Sequence, residues 1–312
     1  MLIKNADCSW LALSVDWRWL TAAAGVLLLQ NVIIVLRWQH LLKLAGIRLS
    51  FFEAFALTMQ GLFFMLFIPG GAASGDLIKI ALVIKDCDAQ KRFNAGASVL
   101  IDRLSGVGGL LLLTLLFSLY LLFFNDGESL VLFHWGMGGL VWACLGAAAI
   151  TMLFWADYFL RIKWIGVVYG FCNRLLRDFP GRLLGVIVLY RKHSGYFVFW
   201  CLISGLVTFP LLAAVLICIA LGIGLHNELA AVVKGAFCSI SYGEFAGMLP
   251  LTPGGIGVRD AVYKEILHLF GIEQSASTLI ALIYSSVMVT VNSIGGVFAV
   301  FRLFRKHKNA VK

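Results

Sequence analysis

Charged residues within apolar stretches are the most informative chemical feature of this 312-residue sequence. Two clusters share one arrangement, in which a Pro-Gly-Gly motif is followed by an acid and a base. The first cluster contains Asp76 and Lys79, and the second contains Arg259 and Asp260. Charges in apolar surroundings are costly unless they serve a function. The two clusters therefore predict a functional polar site within the apolar part of the chain.

Six residues form the candidate binding site, three bases and three acids. We expect the acids to hold the bases in place. The six are Arg103, Arg259, Lys79, Asp76, Glu244 and Asp260. Two simpler interpretations stay open. Arg103, just before an apolar run, would extend to the membrane surface, and Arg259 and Asp260 would form an ordinary ion pair.

The composition indicates the class of protein that must position these residues. Hydrophobic residues make up 61% of the chain and charged residues 13%, whereas soluble domains contain about 25% charged residues. Five uncharged apolar runs have the length that a helix needs to cross a bilayer. They are Trp19–Leu36, Leu104–Phe124, Gly136–Ala156, Tyr196–Gly222 and Ala276–Phe301. The sequence therefore predicts an all-α polytopic membrane protein.

The distribution of basic residues predicts the topology, because cytoplasmic loops collect Lys and Arg. Segments 37–48 and 157–195 and the tail after residue 301 are rich in these residues, whereas loops 125–135 and 223–228 contain none. The first three therefore face the cytoplasm, and the two loops face outward. This arrangement predicts a multi-pass protein of the cytoplasmic (inner) membrane with a cytoplasmic C terminus.

Two further apolar segments, 51–85 and 229–270, are interrupted by the Pro-Gly-Gly motifs. Because Pro lacks a backbone N–H and Gly destabilises helix interiors, each segment is predicted to break there. The turn-forming residues are Pro69, Gly70, Gly71, Pro253, Gly254 and Gly255. The topology makes the first segment begin and end inside and the second begin and end outside. Each is then a re-entrant hairpin; the alternative is a turn at the membrane surface.

The order span, hairpin, span occurs twice in the sequence. Residues 19–124 form repeat A and residues 196–301 form repeat B, which the linking span 136–156 inverts. Pro69 and Pro253 occupy corresponding positions in the two repeats. Inverted repeats with broken helices are typical of transporters that bind their substrate at the repeat interface.

Two other groups of residues have two interpretations each. The basic segment 157–195 contains apolar runs too short to span, which suits helices in the membrane surface that touch anionic head groups; the alternative is an ordinary positive loop. Amides within the apolar segments predict hydrogen bonds between helices; the alternative is that they line a polar path. These amides are Gln30, Asn31, Gln60 and Asn292.

The cysteines and histidines do not indicate a cofactor. None of the seven Cys forms a C-x-x-C pair, and no two His lie four residues apart. We therefore expect neither a metal site nor any other cofactor. The formal charge of +9 belongs to a chain too apolar for nucleic acid to be its partner.

Four stretches of the sequence carry a family resemblance. They are RWQHLLKLAG (37–46), PGGAASGDLIK (69–79), SVLIDRLSG (98–106) and LPLTPGGIGVRDA (249–261). They resemble the transmembrane flippase domain of lysylphosphatidylglycerol synthases and the free-standing flippase-like inner-membrane proteins related to it. Relatives commonly carry Glu and Arg where this chain has Asp76 and Lys79, and an acid where it has Gly106.

The resemblance implies translocation of a phospholipid or lipid-linked substrate, with membrane lipids, anionic or lipid-linked, as partners. Arg103 and Arg259 would then contact the phosphate of the head group, with Lys79 assisting, because a guanidinium holds phosphate oxygens through paired N–H donors. The acids Asp76, Asp260 and Glu244 would hold these bases in place or engage a cationic head group.

In the synthases a cytosolic aminoacyl-transferase domain follows the flippase domain. This chain ends at Lys312, so we expect that it is not an enzyme and that a lipid-modifying enzyme is a potential partner. Two alternatives stay open: a membrane-embedded transferase and a non-catalytic membrane subunit, each acting on a lipid-linked substrate.

Overall fold

The computed structural model describes residues 15–85, 87–88, 91–124, 130–176 and 178–310. Of the described residues, 86% are helical and none lies in a strand. Five helices are long and apolar enough to cross a membrane within these ranges. They are Trp17–Leu44, Arg92–Phe123, Val131–Phe154, Ser194–Gly222 and Gln274–Arg302. The predicted all-α fold is confirmed, with five candidate membrane-spanning helices.

The helices extend beyond the uncharged runs, because polar residues do not end a helix by themselves. Helix α1 covers Trp17–Leu44, α4 covers Arg92–Phe124 and α5 covers Leu130–Phe154. The uncharged run that begins at residue 104 forms the second part of α4, which begins at Arg92. Arg103 therefore lies within a continuous helix and not just before a span.

Both segments interrupted by Pro-Gly-Gly fold as broken helices. The first contains α2 (Phe51–Met65) and α3 (Gly71–Lys85). The second contains α11 (Leu229–Met248), a 3₁₀ turn (Pro253–Gly255) and α12 (Val258–Leu269). The predicted breaks are confirmed at both places. Whether the hairpins are re-entrant stays a prediction.

Glycine permits the reversal of the chain at each break. Gly70 has φ 129°, and Gly254 and Gly255 have φ 62° and 72°. Residues with a Cβ rarely adopt these backbone angles. Gly71 differs from the prediction that it forms the turn, because it is the first residue of α3. The turn before α12 continues to Gly257, whose φ is 89°.

The remaining elements connect these helices. Helices α9 (Ser194–Ile203) and α10 (Phe209–Gly222) are joined by a π-helical turn, Ser204–Thr208. Pro210 follows this turn and cannot donate to the carbonyl four residues earlier, which favours such a bulge. Segment 157–195 forms short helices that do not span, and the chain ends in one long helix. These are α6 (Ala156–Phe159), α7 (Lys163–Leu175), α8 (Phe179–Lys192) and α13 (Gln274–Ala310).

The described chain divides into two compact units. The hairpin unit contains residues 15–35, 52–79 and 208–310, and so includes both Pro-Gly-Gly turns. The α4 unit contains the described residues of 36–51 and 80–207. The boundaries of the predicted repeats, 19–124 and 196–301, are statements about sequence order and membrane orientation, and they stay predictions.

Glycines set the closest helix contacts in the hairpin unit. Helices α2 and α3 touch where a Cβ on Gly61 would lie 2.9 Å from the carbonyl oxygen of Gly75. Helix α13 packs on α2 so closely that a Cβ on Gly295 would overlap the carbonyl oxygen of Met59. Small residues at such contacts are typical of helix packing in membranes.

The α4 unit is built around its longest helix. A Cβ on Gly109 of α4 would overlap the side chain of Ser204 in the π-helical turn. On another side, a Cβ on Gly146 of α5 would lie 2.7 Å from Leu111 of α4. Helix α5 otherwise exposes large apolar side chains, such as Trp142 and Leu145, as expected for a helix that faces lipid.

Candidate functional site

Arg259 is the central residue of the candidate site. It lies in the first turn of α12 and is only 6% exposed. Its Nη1 lies 3.7 Å from the Glu244 carboxylate of α11, an ion pair beyond hydrogen-bond distance. Its Nη2 donates to the thioether of Met288 at 3.0 Å, and its buried Nε has no hydrogen-bond partner among the described residues. A guanidinium has five N–H donors, so this one is incompletely satisfied.

Two tyrosines form the walls around this guanidinium. The guanidinium carbon lies 4.8 Å from the ring centre of Tyr284 on α13 and 5.9 Å from that of Tyr263 on α12. The Tyr263 hydroxyl donates to Glu244 at 2.6 Å. Aromatic faces attract cations without using their N–H donors. The two rings and Glu244 therefore stabilise the charge of Arg259 and leave part of its hydrogen-bonding capacity unused.

Asp260 has a different role from its neighbour. One carboxylate oxygen accepts from the backbone N–H of Gly257 at 3.0 Å, which caps α12. The other accepts from the Ser285 hydroxyl of α13 at 2.6 Å. Asp260 thus fixes the start of α12 against α13. The simple ion pair between Arg259 and Asp260 is not what the structure shows, because Arg259 pairs with Glu244.

The second Pro-Gly-Gly turn touches the start of the first helix break in the hairpin unit. A Cβ on Gly254 would lie 3.6 Å from a methyl group of Leu66, the first residue after α2. The short helix α12 starts next to this meeting point, with Arg259 in its first turn. The positive end of a helix and a buried guanidinium both favour an anion.

Unpaired polar groups are concentrated in the hairpin unit. Among the described residues, six buried side-chain atoms have no hydrogen-bond partner in the protein, and all six belong to this unit. They are Asn31 Nδ2, Thr58 Oγ1, Ser239 Oγ, Thr252 Oγ1, Arg259 Nε and Asn292 Oδ1. Buried polar groups are normally paired. For Asn31 and Asn292, the predicted bonds between helices are therefore incomplete, which favours the alternative of a polar path.

Asp76 and Lys79 lie in the same unit, on α3. Lys79 is buried, and its Cβ would lie 3.4 Å from a Cβ placed on Gly61 of α2. Asp76 is partly exposed, one turn closer to Gly70. Four of the six predicted site residues therefore lie on α12 and α3, and a fifth, Glu244, lies on α11.

Arg103 belongs to the α4 unit, where a different ion pair dominates. Arg37 of α1 donates to Asp102 at 2.7 Å and to the Ser204 hydroxyl at 2.8 Å, and both charged residues are buried. A Cβ on Gly106 would lie 3.2 Å from this guanidinium, so glycine leaves room for it. Asp102 therefore neutralises a residue 65 positions away.

Sequence reasoning missed the residues that α13 and α12 contribute to the site. Tyr263 lies four residues after Arg259, and Met288 lies four residues after Tyr284, so each pair shares one helix face. This spacing was the only signal, and it is common in any apolar helix. Arg37 was interpreted only as a topology signal. Within the described ranges, no group of three or more metal-ligating side chains is close enough to hold a metal ion.

The comparisons with known proteins agree with the fold. The sequence profile of the family described as lysylphosphatidylglycerol synthase TM region matches residues 10–296, which include both broken helices and the candidate site. No curated protein matches significantly, and no solved structure does. The chain therefore belongs to the family of the lysylphosphatidylglycerol synthase transmembrane region.

Proposed function

We propose that the protein translocates a phospholipid or lipid-linked substrate across the cytoplasmic membrane, with Arg259 holding the phosphate of the head group. The family is named after an enzyme of lipid metabolism, which makes membrane lipids plausible partners. The acyl chains of such a substrate can stay in hydrocarbon, whereas its charged head must cross it. A charge at the bilayer centre is costly, so a translocator must supply a polar surface for the head.

The incomplete satisfaction of Arg259 is the observation that carries the proposal. Its buried Nε is unpaired, and its carboxylate neighbour Glu244 stays at 3.7 Å. Within the part of the chain that the structure describes, the guanidinium of Arg259 donates one hydrogen bond, to the thioether of Met288. Phosphate oxygens would accept from its remaining N–H groups. A residue that served structure alone would be expected to have its hydrogen bonds completed by the protein.

The other predicted residues have proposed roles around this contact. Lys79 adds positive charge on α3, and Glu244 and Asp76 balance the bases or engage a cationic part of the head. Asp260 positions Arg259 by capping α12. Phosphate contact by Arg103 in the α4 unit stays a prediction. The two turns supply backbone groups and Thr252, whose unpaired hydroxyl lies between α11 and α12.

The proposed orientation follows from the basic segments. The first hairpin enters the membrane from the cytoplasm and the second enters from outside. A head group in either leaflet can then reach one of the two turns, and the two helix breaks contact each other. The C terminus is then cytoplasmic. Irregular backbone at membrane depth is tolerated where it lines a polar cavity, and the unpaired polar atoms of the hairpin unit fit such a cavity.

A leaflet-accessibility assay tests the proposal. The purified protein is placed in liposomes with a phospholipid that carries a fluorophore on one acyl chain, and dithionite bleaches only the outer leaflet. We expect the bleached fraction to rise from half, as in protein-free liposomes, toward completion, without nucleotide or metal. Mass spectrometry of the lipid is the control. Translocation would be contradicted if labelled phosphatidylglycerol and labelled phosphatidylethanolamine were both bleached only as far as in protein-free liposomes. A chemically changed lipid would also contradict translocation as the activity.

A further inference from the structure

Helix α7 has an unusual apolar face. Val167, Val168, Phe171 and Leu175 are between 62% and 69% exposed. At 100° per residue these four positions fall within one stripe along the helix. With 13 residues, α7 is much shorter than the roughly 20 residues that span a bilayer. An exposed stripe of this kind marks a surface that binds a membrane or a protein.

The opposite face of α7 is already occupied by α8, which fixes the direction of the stripe. The Asn173 side chain accepts from the backbone N–H of Gly181 at 2.8 Å. A Cβ on Gly181 would lie 3.5 Å from the Tyr169 hydroxyl. Tyr169 and Asn173 are on the side of α7 opposite Phe171. The stripe therefore points away from the helix that holds α7 in place.

The chain places α7 at the level of the membrane surface. Helix α5, a candidate span, ends at Phe154, and the next candidate span begins at Ser194. Only eight residues separate the end of α5 from Lys163, the start of α7. The helix must therefore lie close to the boundary between hydrocarbon and water, whichever side of the membrane this boundary is on.

Basic residues border the stripe. Arg174 lies two helical turns after Val167, so it is at the edge of the apolar arc. Arg161 precedes α7, is exposed and stacks on the Tyr158 ring at 4.7 Å; it has no acidic partner within the described part of the chain. Positive residues beside an exposed apolar stripe are typical of helices that bind anionic membranes.

A partly exposed ion pair connects α6 and α8 next to α7. Arg191 of α8 donates two hydrogen bonds to Asp157 of α6, one of them at 2.9 Å. Those hydrogen bonds hold the pKa of the Asp157 carboxyl below its usual range, so the pair stays charged at neutral pH. Asp157 is thereby neutralised by Arg191, and the positive charges of Arg161 and Arg174 remain available.

We propose that α7 lies in the plane of the membrane interface, with the stripe among the acyl chains and Arg161 and Arg174 against anionic head groups. The inference does not depend on lipid translocation. It concerns helix α7 of the α4 unit, whereas Arg259, the proposed phosphate contact, belongs to the hairpin unit.

Site-directed fluorescence on the full-length protein tests this inference. All native cysteines are replaced by serine, and an environment-sensitive fluorophore is attached to Phe171→Cys or Val168→Cys. Gly185→Cys on α8 is the matched control, because that position is exposed and a Cβ there meets nothing within 4 Å. In liposomes we expect blue-shifted emission and several-fold slower quenching by an aqueous reagent at 168 and 171 than at 185.

Two further comparisons show whether anionic lipid or a second copy of the chain covers the stripe. One varies the charge of the lipid, and the other dilutes the protein in the bilayer. Arg161→Gln with Arg174→Gln should speed quenching at 171 several-fold in anionic liposomes and leave it unchanged in zwitterionic ones. Quenching at 171 as fast as at 185 would overturn the proposal. If quenching at 171 becomes fast when the protein is diluted in the bilayer, a second copy of the chain covers the stripe and the proposal is overturned. Equal effects of the double substitution in both lipids would overturn the role of anionic head groups.

Discussion

Arg259→Ala is expected to slow lipid translocation in proteoliposomes by about one to two orders of magnitude. A hydrogen bond to a charged group contributes about 1.5–3 kcal/mol, and each 1.4 kcal/mol changes a rate about tenfold. The substitution removes the whole fork that would hold phosphate. Arg259→Lys keeps the charge but not the fork, so its rate should lie between those of Arg259→Ala and the wild type. The measurement is the rate of head-group exposure to an impermeant reagent.

Two further variants show whether the loss belongs to the site. Arg18→Ala changes an exposed arginine at the start of α1 and should translocate at the wild-type rate. Glu244 is left near an empty pocket in Arg259→Ala, so a loss of folding must be separated from a loss of binding. The pair Arg259→Gln with Glu244→Gln carries neither charge and should stay folded by thermal unfolding in detergent, yet remain slow. A folded Arg259→Ala that translocates normally would show that the site is assigned wrongly.

Gly295→Ala is expected to lower the thermal stability of the protein and to abolish most of the translocation. A Cβ at this position would overlap the carbonyl oxygen and carbon of Met59 in α2. Backbone atoms cannot rotate away as a side chain can, so α13 and α2 must separate. Overpacking costs about 1–3 kcal/mol or more. Because α13 also carries Tyr284 and Met288, the walls of the Arg259 pocket would move with it.

Gly25→Ala is the matched control for this substitution. Gly25 lies within α1, and a Cβ there meets nothing within 4 Å. Replacing glycine by alanine in a helix interior gains about 0.8–1 kcal/mol, so this variant should be as stable as the wild type or slightly more stable. Melting temperatures of the two variants in one detergent give the comparison. If Gly295→Ala has the same melting temperature as Gly25→Ala, the close packing of α2 and α13 is not a feature of the folded protein.

The parts of the fold that depend on local chemistry could be predicted from the sequence. Uncharged apolar runs identified five spans, because length and hydrophobicity decide whether a helix can cross a bilayer. The breaks at Pro69 and Pro253 were also local, since proline and glycine limit the backbone wherever they occur. The charges at Arg259 and Glu244 were recognised because ionisable residues in apolar segments are rare.

The contacts between helices could not be predicted in the same way. Helices that are apolar on all sides do not show in their sequence which face packs against which neighbour. Glu244 therefore gave no sign that Tyr263 would donate to it, and Arg37 gave no sign that Asp102 was its partner. The start of α4 at Arg92 was missed for a related reason. Charges mark where apolar runs end but not where helices end.

The central claim is that two broken helices enter the membrane from opposite surfaces and meet beside Arg259. The most direct test is cysteine labelling from each side of sealed vesicles, on a background with all native cysteines replaced by serine. Ser50→Cys lies just before α2, and His226→Cys lies between α10 and α11; both positions are exposed. The account predicts that an impermeant maleimide reaches residue 50 only from the cytoplasmic side and residue 226 only from the outer side. Labelling of both positions from the same side would contradict it.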